Sequence, residues 1–258
     1  MSARRPPRWR RIVLLIAAAV ASLWGVWYWP VHTRQGINYE VTQQTLPLSL
    51  KLAGFVYRDM EFRDLARTLT RGIRGDEAKV LRLCEWVRSH ITTGNPPGLP
   101  VVDDHVWNII VRGYGDPDQL ADVLATLCAY AGIPAELAML GPPGGRMVHA
   151  VAMVKLENRW CPLDPFSGII VRNADGRLMS REEILADPAP LRHAASGLMV
   201  NGVEYPRLYA WLPPVSSNAE LRPYRHMPLR RAWYEVTRAA VHLFQGVLSP
   251  LVMIHEHT

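Results

Sequence analysis

The sequence is poor in cysteine, and this scarcity excludes several classes of protein. Only three cysteines occur in 258 residues, and they are widely spaced: Cys84, Cys128 and Cys161. A disulfide framework needs more cysteines at closer spacing, so these three are expected to be isolated thiols. The sequence also has no zinc-type cysteine spacing, no phosphate-binding glycine loop and no nucleic-acid-binding motif. We therefore expect no metal, no cofactor and no nucleic-acid partner.

The composition indicates a folded protein with an uneven distribution of charge. The chain is 49% hydrophobic and 20% charged, as is typical of globular proteins, and carries a net charge of +6. Five arginines lie within the first eleven residues, and a second basic stretch runs from Arg222 to Arg231. The length is sufficient for one domain plus an anchor.

An apolar run from Ile12 to Trp29 follows the first arginine cluster. It is long enough for a membrane-spanning helix, and aromatic residues collect at its C-terminal end, as they do at membrane interfaces. We predict a basic cytoplasmic segment at 1–11 and a transmembrane anchor at 12–30. The remainder would then lie outside the cytoplasmic membrane, which is the periplasm in a bacterium. A cleaved signal peptide is the alternative, but no small-x-small cleavage site follows Trp29.

The next segment is predicted to be a connector followed by two helices. Residues 31–57 lack a clear period and read as a connector with one extended piece at Ile37–Gln43. Apolar residues at helical spacing predict helices over 59–72 and 76–91, and Gly and Pro residues predict a loop over 92–100. Asp103-Asp104-His105 leaves a metal site open, although such clusters are more often solvated loops.

A central helix and an antiparallel sheet are predicted next. Asp116 suits the N-cap of a helix over 116–131, Pro117 suits its first turn, and Gly132 suits its end. Alternating patterns then predict four strands, at 135–140, 147–156, 159–163 and 169–172. Ser180-Arg-Glu-Glu183 predicts a capping box that opens a short helix to about Ala186.

The C-terminal region, 187–258, is expected to be an extension of the domain. We make no assignment for 187–228, where prolines are frequent. Residues 230–248 have a helical pattern, and this helix would either cover the domain or lie in the membrane surface with its arginines outward.

Four motifs occur in a recognisable order: Gly113-Tyr-Gly-Asp-Pro-Asp-Gln119, Gly132-Ile-Pro134, Met147-Val-His149 and Trp160-Cys-Pro-Leu-Asp-Pro165. This order resembles the transglutaminase-like superfamily, whose members include papain-like cysteine proteases with a Cys-His-Asp triad. The resemblance implies an α+β domain over 58–186, with a central helix packed on an antiparallel sheet. It places His149 and Asp164 at two triad positions, while Pro117 occupies the position of the nucleophilic cysteine.

The resemblance implies amide hydrolysis or acyl transfer, for which Pro117 has no nucleophilic group. We therefore predict an inactive domain that retains its groove and binds a peptide, glycan or protein partner. The alternative is an active enzyme with a relocated nucleophile, and Cys161 within reach of His149 would favour it. The pattern of the strand, however, turns Cys161 toward the core.

Overall fold

A computed structural model describes residues 8–37, 40–99, 105–142, 144–215 and 221–237. Its helices are α1 (Arg8–Trp27), α2 (Leu48–Thr70), α3 (Asp76–His90), α4 (Val106–Arg112), α5 (Pro117–Tyr130), α6 (Arg181–Ala186), α7 (Ala189–Ala194), α8 (Tyr205–Leu208) and α9 (Arg222–His226). Its strands are β1 (Pro30–Ile37), β2 (Glu40–Pro47), β3 (Thr92–Thr93), β4 (Tyr114–Gly115), β5 (Ala135–Leu140), β6 (His149–Leu156), β7 (Arg159–Leu163), β8 (Met199–Val200) and β9 (Val203–Glu204). Residues 228–237 are also helical.

The apolar run near the N-terminus forms α1, whose bounds differ from those predicted. The helix begins at Arg8, so it includes arginines of the basic segment, and it ends at Trp27, three residues short of the predicted anchor. Within the part of the chain that the structure describes, no helix combines the length and hydropathy needed to cross a membrane. The predicted span at 12–30 is therefore not supported.

The predicted connector is a hairpin followed by the start of a long helix. Strands β1 and β2 pair in antiparallel register, with Pro30 opposite Pro47, and α2 begins at Leu48 rather than at Asp59. The extended piece is thus much longer than the predicted Ile37–Gln43. Leu48, Phe55 and Phe62 are buried along one face of α2. Their helical spacing was not recognised in the sequence.

The central helix packs on one face of a three-stranded antiparallel sheet with the order β5-β6-β7. Leu120, Leu124 and Leu127 of α5 pack with Ala152 and Val154 of β6 in what we call the helix-side cluster. The predicted bounds of α5, β5 and β7 are confirmed, and β6 begins at His149, two residues later than predicted. Residues 169–172 are not a strand; only a single bridge joins Arg172 to Leu178.

The opposite face of the sheet is covered by the C-terminal extension. Val151 and Met153 of β6 pack there with Tyr205, Leu208 and Tyr209 in what we call the outer cluster. The capping box predicted before α6 is present, since Ser180 Oγ accepts from the Glu183 amide at 3.2 Å and the Glu183 carboxylate accepts from the Ser180 amide at 2.7 Å. The sequence after α6 therefore completes the domain core.

Candidate functional site

His149 and Asp164 form the centre of the candidate site. The turn at Glu157 and Asn158 has positive φ at both residues, 48° and 68°, which is typical of a tight two-residue hairpin. This hairpin pairs Leu163 with Ala152, so Asp164 follows one residue later and lies diagonal to His149. The His149 Nε2 atom is 2.6 Å from Asp164 Oδ2, so the residues at the two triad positions that the resemblance implies are hydrogen-bonded to each other.

The Asp164 carboxylate is fixed by further hydrogen bonds. Its Oδ1 accepts from the backbone amides of Phe166 and Ser167, each at 2.9 Å, in a turn that the carboxylate itself stabilises. Its Oδ2 also accepts from the Tyr205 hydroxyl at 2.6 Å. Four donors therefore hold this side chain in one orientation.

The charge of Asp164 determines which nitrogen of His149 carries a proton. Burial alone would raise the pKa of Asp164, but the hydrogen bond and charge of His149, together with Tyr205 and Ser167, outweigh it and lower that pKa. An ionised carboxylate cannot donate, so the hydrogen bond places a hydrogen on Nε2, and in a neutral imidazole Nδ1 would then be the acceptor. This is the tautomer that a general base needs.

The remaining ring nitrogen of His149 has no partner. Among the described residues, the buried Nδ1 atom makes no hydrogen bond. Buried polar atoms are normally paired, so an orphaned one needs an explanation. In a Cys-His-Asp triad with this tautomer, Nδ1 would accept the proton of the thiol. The orphaned atom is therefore what the loss of a nucleophile would leave behind.

The pair is closed off from solvent. The side chains of His149 and Asp164 are both 0% exposed. The rings of Tyr205 and Phe166 lie edge-on to the imidazole, with centroids at 5.7 Å and 6.0 Å. Tyr205 belongs to the outer cluster, and Phe166 packs against the helix-side cluster, so the imidazole lies between the two at the end of the sheet.

Pro117 lies in the first turn of α5, with Asp116 as its N-cap, as predicted. The Asp116 amide donates to Gln119 Oε1 at 3.1 Å, and its carboxylate accepts from Asn95 at 3.0 Å. Helix α5 has 14 residues and strand β5 has six, so each is about 20 Å long. Strand β5 begins just after the C-terminal end of α5 and runs back toward its N-terminal end. His149, paired with the last residue of β5, is thus level with the start of α5. That Pro117 faces His149 stays a prediction.

None of the three cysteines has the properties of a nucleophile. All are 0% exposed, and burial raises the pKa of Cys84 to about 12, that of Cys161 to about 11 and that of Cys128 still further. Cys161 lies opposite Val154, five residues along β6 from His149, or about 16 Å. The Cys161 side chain also belongs to the helix-side cluster, which agrees with the predicted orientation toward the core.

Two residues of the site were missed in the sequence. Tyr205 and Phe166 enclose the imidazole. Phe166 directly follows the motif that ends at Pro165, whereas Tyr205 lies far from all four motifs. Two of the three residues of the possible metal cluster, Asp103 and Asp104, lie outside the described residues. His105 acts as the N-cap of α4, where its Nδ1 accepts from the Trp107 amide at 3.2 Å.

A groove of about 680 Å³ opens at the edge strand β5, near the end of the sheet where His149 lies. Its apolar lining includes Met139, Met147, Trp211, Pro213 and Pro214. Glu136 is the charged residue in this lining, and its carboxylate already accepts from the Arg222 amide at 2.6 Å. The groove therefore offers a mostly apolar surface along β5, and neither His149 nor Asp164 is part of its lining.

Comparison with known families confirms the resemblance inferred from the motifs. A family model described as the transglutaminase-like superfamily matches residues 63–165, about two fifths of the chain. This match runs from α2 to the residue after Asp164 and contains Pro117 and His149. Residues 63–165 therefore form a transglutaminase-like segment of α+β fold. No curated protein matches the chain significantly.

Two solved structures are similar to the chain at low identity. One, described as a candidate protease from Parabacteroides distasonis, shares 15% identity over 53% of this chain and 36% of its own, with a TM-score of 0.35. The other, described as a candidate cysteine protease from Cytophaga hutchinsonii, shares 16% identity over 46% of this chain and 40% of its own, with a TM-score of 0.37. The chain thus spans about two fifths of their length or less, and similarity at this level identifies no substrate.

Proposed function

We propose that this chain carries a catalytically inactive transglutaminase-like domain that binds a partner in its groove. The observation that supports inactivity is the orphaned Nδ1 of a fully buried His149, combined with proline at the nucleophile position. An imidazole that no substrate can reach cannot transfer a proton to a leaving group. The His149–Asp164 pair then acts as a structural link between the end of the sheet and the C-terminal extension.

The alternative of a relocated nucleophile has little support. The candidate on β7, Cys161, is too far along the strand from His149, and its raised pKa of about 11 keeps it protonated at neutral pH. Asp116 and Asp118 flank Pro117, but the first caps the helix and the second lies in its first turn, where the dipole favours a carboxylate.

Among a peptide, a glycan and a protein, the groove favours an extended apolar peptide, whether free or as part of a protein. Strand β5 pairs with β6 on one side, and no strand among the described residues pairs with its other side, so it is an edge strand. An extended peptide can pair with such an edge and place its side chains on the apolar lining. A glycan would instead need several polar side chains, and the lining described above supplies few.

Binding in the groove can be tested with one pair of variants. Met147 lines the groove and is 54% exposed, whereas Met60 on α2 is 64% exposed and lies outside it. Met147→Arg is expected to weaken binding to an array of apolar decapeptides by roughly tenfold or more, because it adds a buried charge to the contact. Met60→Arg should leave binding unchanged. Equal effects of the two variants, or amide hydrolysis by the wild type that disappears in His149→Ala, would refute the proposal.

The location of the domain is a further part of the proposal. We infer that α1 attaches the chain to a membrane and that the domain lies on the outer side. The support is the excess of arginines before the apolar run, because positively charged segments remain cytoplasmic. The described side chains of α1, among them Leu14, Leu15 and Leu23, are exposed, and none belongs to the helix-side cluster or the outer cluster.

A reporter fusion tests this location. A reporter that is active only outside the cytoplasm, fused after Thr258, should be active. The same reporter should lose its activity when the arginines at positions 4, 5, 8, 10 and 11 are changed to Glu, because the charge bias is then reversed. Activity of a cytoplasm-specific reporter at the same site in the unchanged chain would contradict the proposed location.

A further inference from the structure

The helix at 228–237 is turned so that its large apolar side chains face away from the protein. Pro228 is buried, and Ala232 and Glu235 are half-buried, so residues at positions i, i+4 and i+7 form the inner face. On the outside, Trp233 is 71% exposed and Tyr234 is 58% exposed. Leu229 and Val236 are exposed on the same helix. In a surface helix of a water-soluble domain, the apolar face would be the inner one.

An ion pair holds the helix in this orientation. Glu235 Oε1 lies 3.1 Å from Lys51 Nζ, and the two side chains are only 16% and 12% exposed. Lys51 also donates to the His32 carbonyl at 2.9 Å, so three segments meet at the first turns of α2. The acidic residue of the helix is therefore fixed inward, which leaves the aromatic residues outward.

The aromatic end of α1 lies beside the same turns of α2. The Leu48 amide at the start of α2 donates to the Trp29 carbonyl at 2.8 Å. Trp24, Trp27 and Tyr28 come just before Trp29 in the chain, and the side chain of each is more than half exposed. The two terminal helices thus place tryptophan and tyrosine side chains around one end of α2. We call this set, Trp24, Trp27, Tyr28, Trp29, Leu229, Trp233, Tyr234 and Val236, the aromatic surface.

The chemistry of the aromatic surface fits a lipid bilayer better than a protein partner. Tryptophan and tyrosine are enriched at the boundary between hydrocarbon and headgroups, where an apolar ring and a polar edge are both satisfied. Arg231 is exposed on the helix, and it ends the basic stretch that begins at Arg222. Anionic headgroups attract such residues.

We infer that the 228–237 helix lies in the interface of a membrane, next to the end of α1, and fixes the orientation of the domain on the lipid surface. This inference rests on the membrane attachment proposed above. A helix in the interface needs no span, since only its apolar face enters the boundary between headgroups and acyl chains. The end of α2 that carries Lys51 would face the membrane, and the end that carries Thr70 would point away from it.

The experiment places an environment-sensitive dye at two positions of the full chain. Val236→Cys puts a thiol on the aromatic surface, and Ala78→Cys is the control, on an exposed helical position beyond the far end of α2, about 30 Å away. The three natural cysteines are 0% exposed, so a nitrobenzoxadiazole (NBD) maleimide should label only the new thiol. Each labelled chain is inserted into nanodiscs of phosphatidylcholine with phosphatidylglycerol, with and without brominated acyl chains.

The NBD emission at Val236→Cys should shift to shorter wavelength and be quenched by the brominated lipids, while that at Ala78→Cys should do neither. Adding Trp233→Ser and Tyr234→Ser should reverse the shift at position 236. If the chain enters nanodiscs but the label at 236 behaves like that at 78, the inference is wrong and the attachment through α1 stands. If the chain does not enter nanodiscs, the attachment itself fails. Shielding of the label without bromine quenching, in a dimer, would assign the surface to a second copy of the chain.

Discussion

Pro117→Cys is expected to create one fast-reacting thiol in a chain that otherwise has none. The new side chain would lie in the first turn of α5, where the helix dipole favours a thiolate. An imidazole with an unpaired Nδ1 would add to this effect if it lies within reach, and the thiol pKa should then fall into the range of roughly 3.5–7.5. The backbone at this position is already helical, so the loss of the proline should cost no more than about 1 kcal/mol.

Brief labelling at neutral pH with a thiol-directed electrophile, followed by intact mass, measures this reactivity. The wild type should stay unlabelled, because Cys84, Cys128 and Cys161 are 0% exposed. Asp118→Cys is the matched control, since it places a thiol in the same helical turn but outside the triad position. Pro117→Cys should react faster than Asp118→Cys, and His149→Gln should remove the difference.

Two results would change the interpretation of the site. Equal rates for Pro117→Cys and Asp118→Cys would mean that the helix dipole acts alone and that His149 does not face position 117. Rapid labelling of the wild type at Cys161 would favour an enzyme with a relocated nucleophile over the inactive domain proposed here.

Asp164→Ala is expected to lower the free energy of unfolding by about 3–5 kcal/mol, because it breaks a buried hydrogen-bond network and leaves several donors without their acceptor. The change removes one acceptor for four donors, which are the His149 ring, the Tyr205 hydroxyl and the amides of Phe166 and Ser167. Tyr205→Phe removes only one donor to the charged carboxylate and should cost about 1.5–3 kcal/mol. Urea unfolding at constant slope measures both effects.

The exposed Asp64 on α2 provides the control, and Asp64→Ala should change stability by no more than about 0.5 kcal/mol. The Asp164 carboxylate should also make stability depend on pH. Its pKa is lowered in the folded state, so its contribution is complete above its unfolded pKa of about 3.9 and is lost as the pH falls through the folded pKa. Asp164→Asn should therefore flatten the loss of stability in acid. An Asp164→Ala effect as small as that of Asp64→Ala would show that the buried network contributes little.

The central part of the fold could be predicted because its signals are local. Asp116 and Gly132 mark the ends of α5, and Glu157-Asn158 marks the hairpin that brings Asp164 to His149. Each of these signals acts within a few residues of the structure it determines. The predicted bounds 147–156 and 159–163 leave only Glu157 and Asn158 between the strands, and the structure adds the register that brings Asp164 to His149.

The enclosure of the site could not be predicted because it depends on a distant contact. Tyr205 is 41 residues from Asp164 in the chain, within a segment where prolines and mixed polarity conceal any period. The start of α2 was missed for a different reason. Its buried residues Leu48, Phe55 and Phe62 are seven residues apart. Exposed apolar residues between them, such as Leu50, Val56 and Met60, obscure the buried face of the helix.

The contact from Tyr205 to Asp164 also sets an order of assembly during synthesis. A chain emerges from the ribosome N-terminus first, at about 5–20 residues per second. The elements of the helix-side cluster, from Phe62 to Leu178, would therefore be free to fold about a second or more before Tyr205 leaves the ribosome tunnel. During that interval the imidazole of His149 has no cover from the C-terminal extension, and a chaperone or partner could reach it. Closure of the site is then the last step in the maturation of the nascent domain.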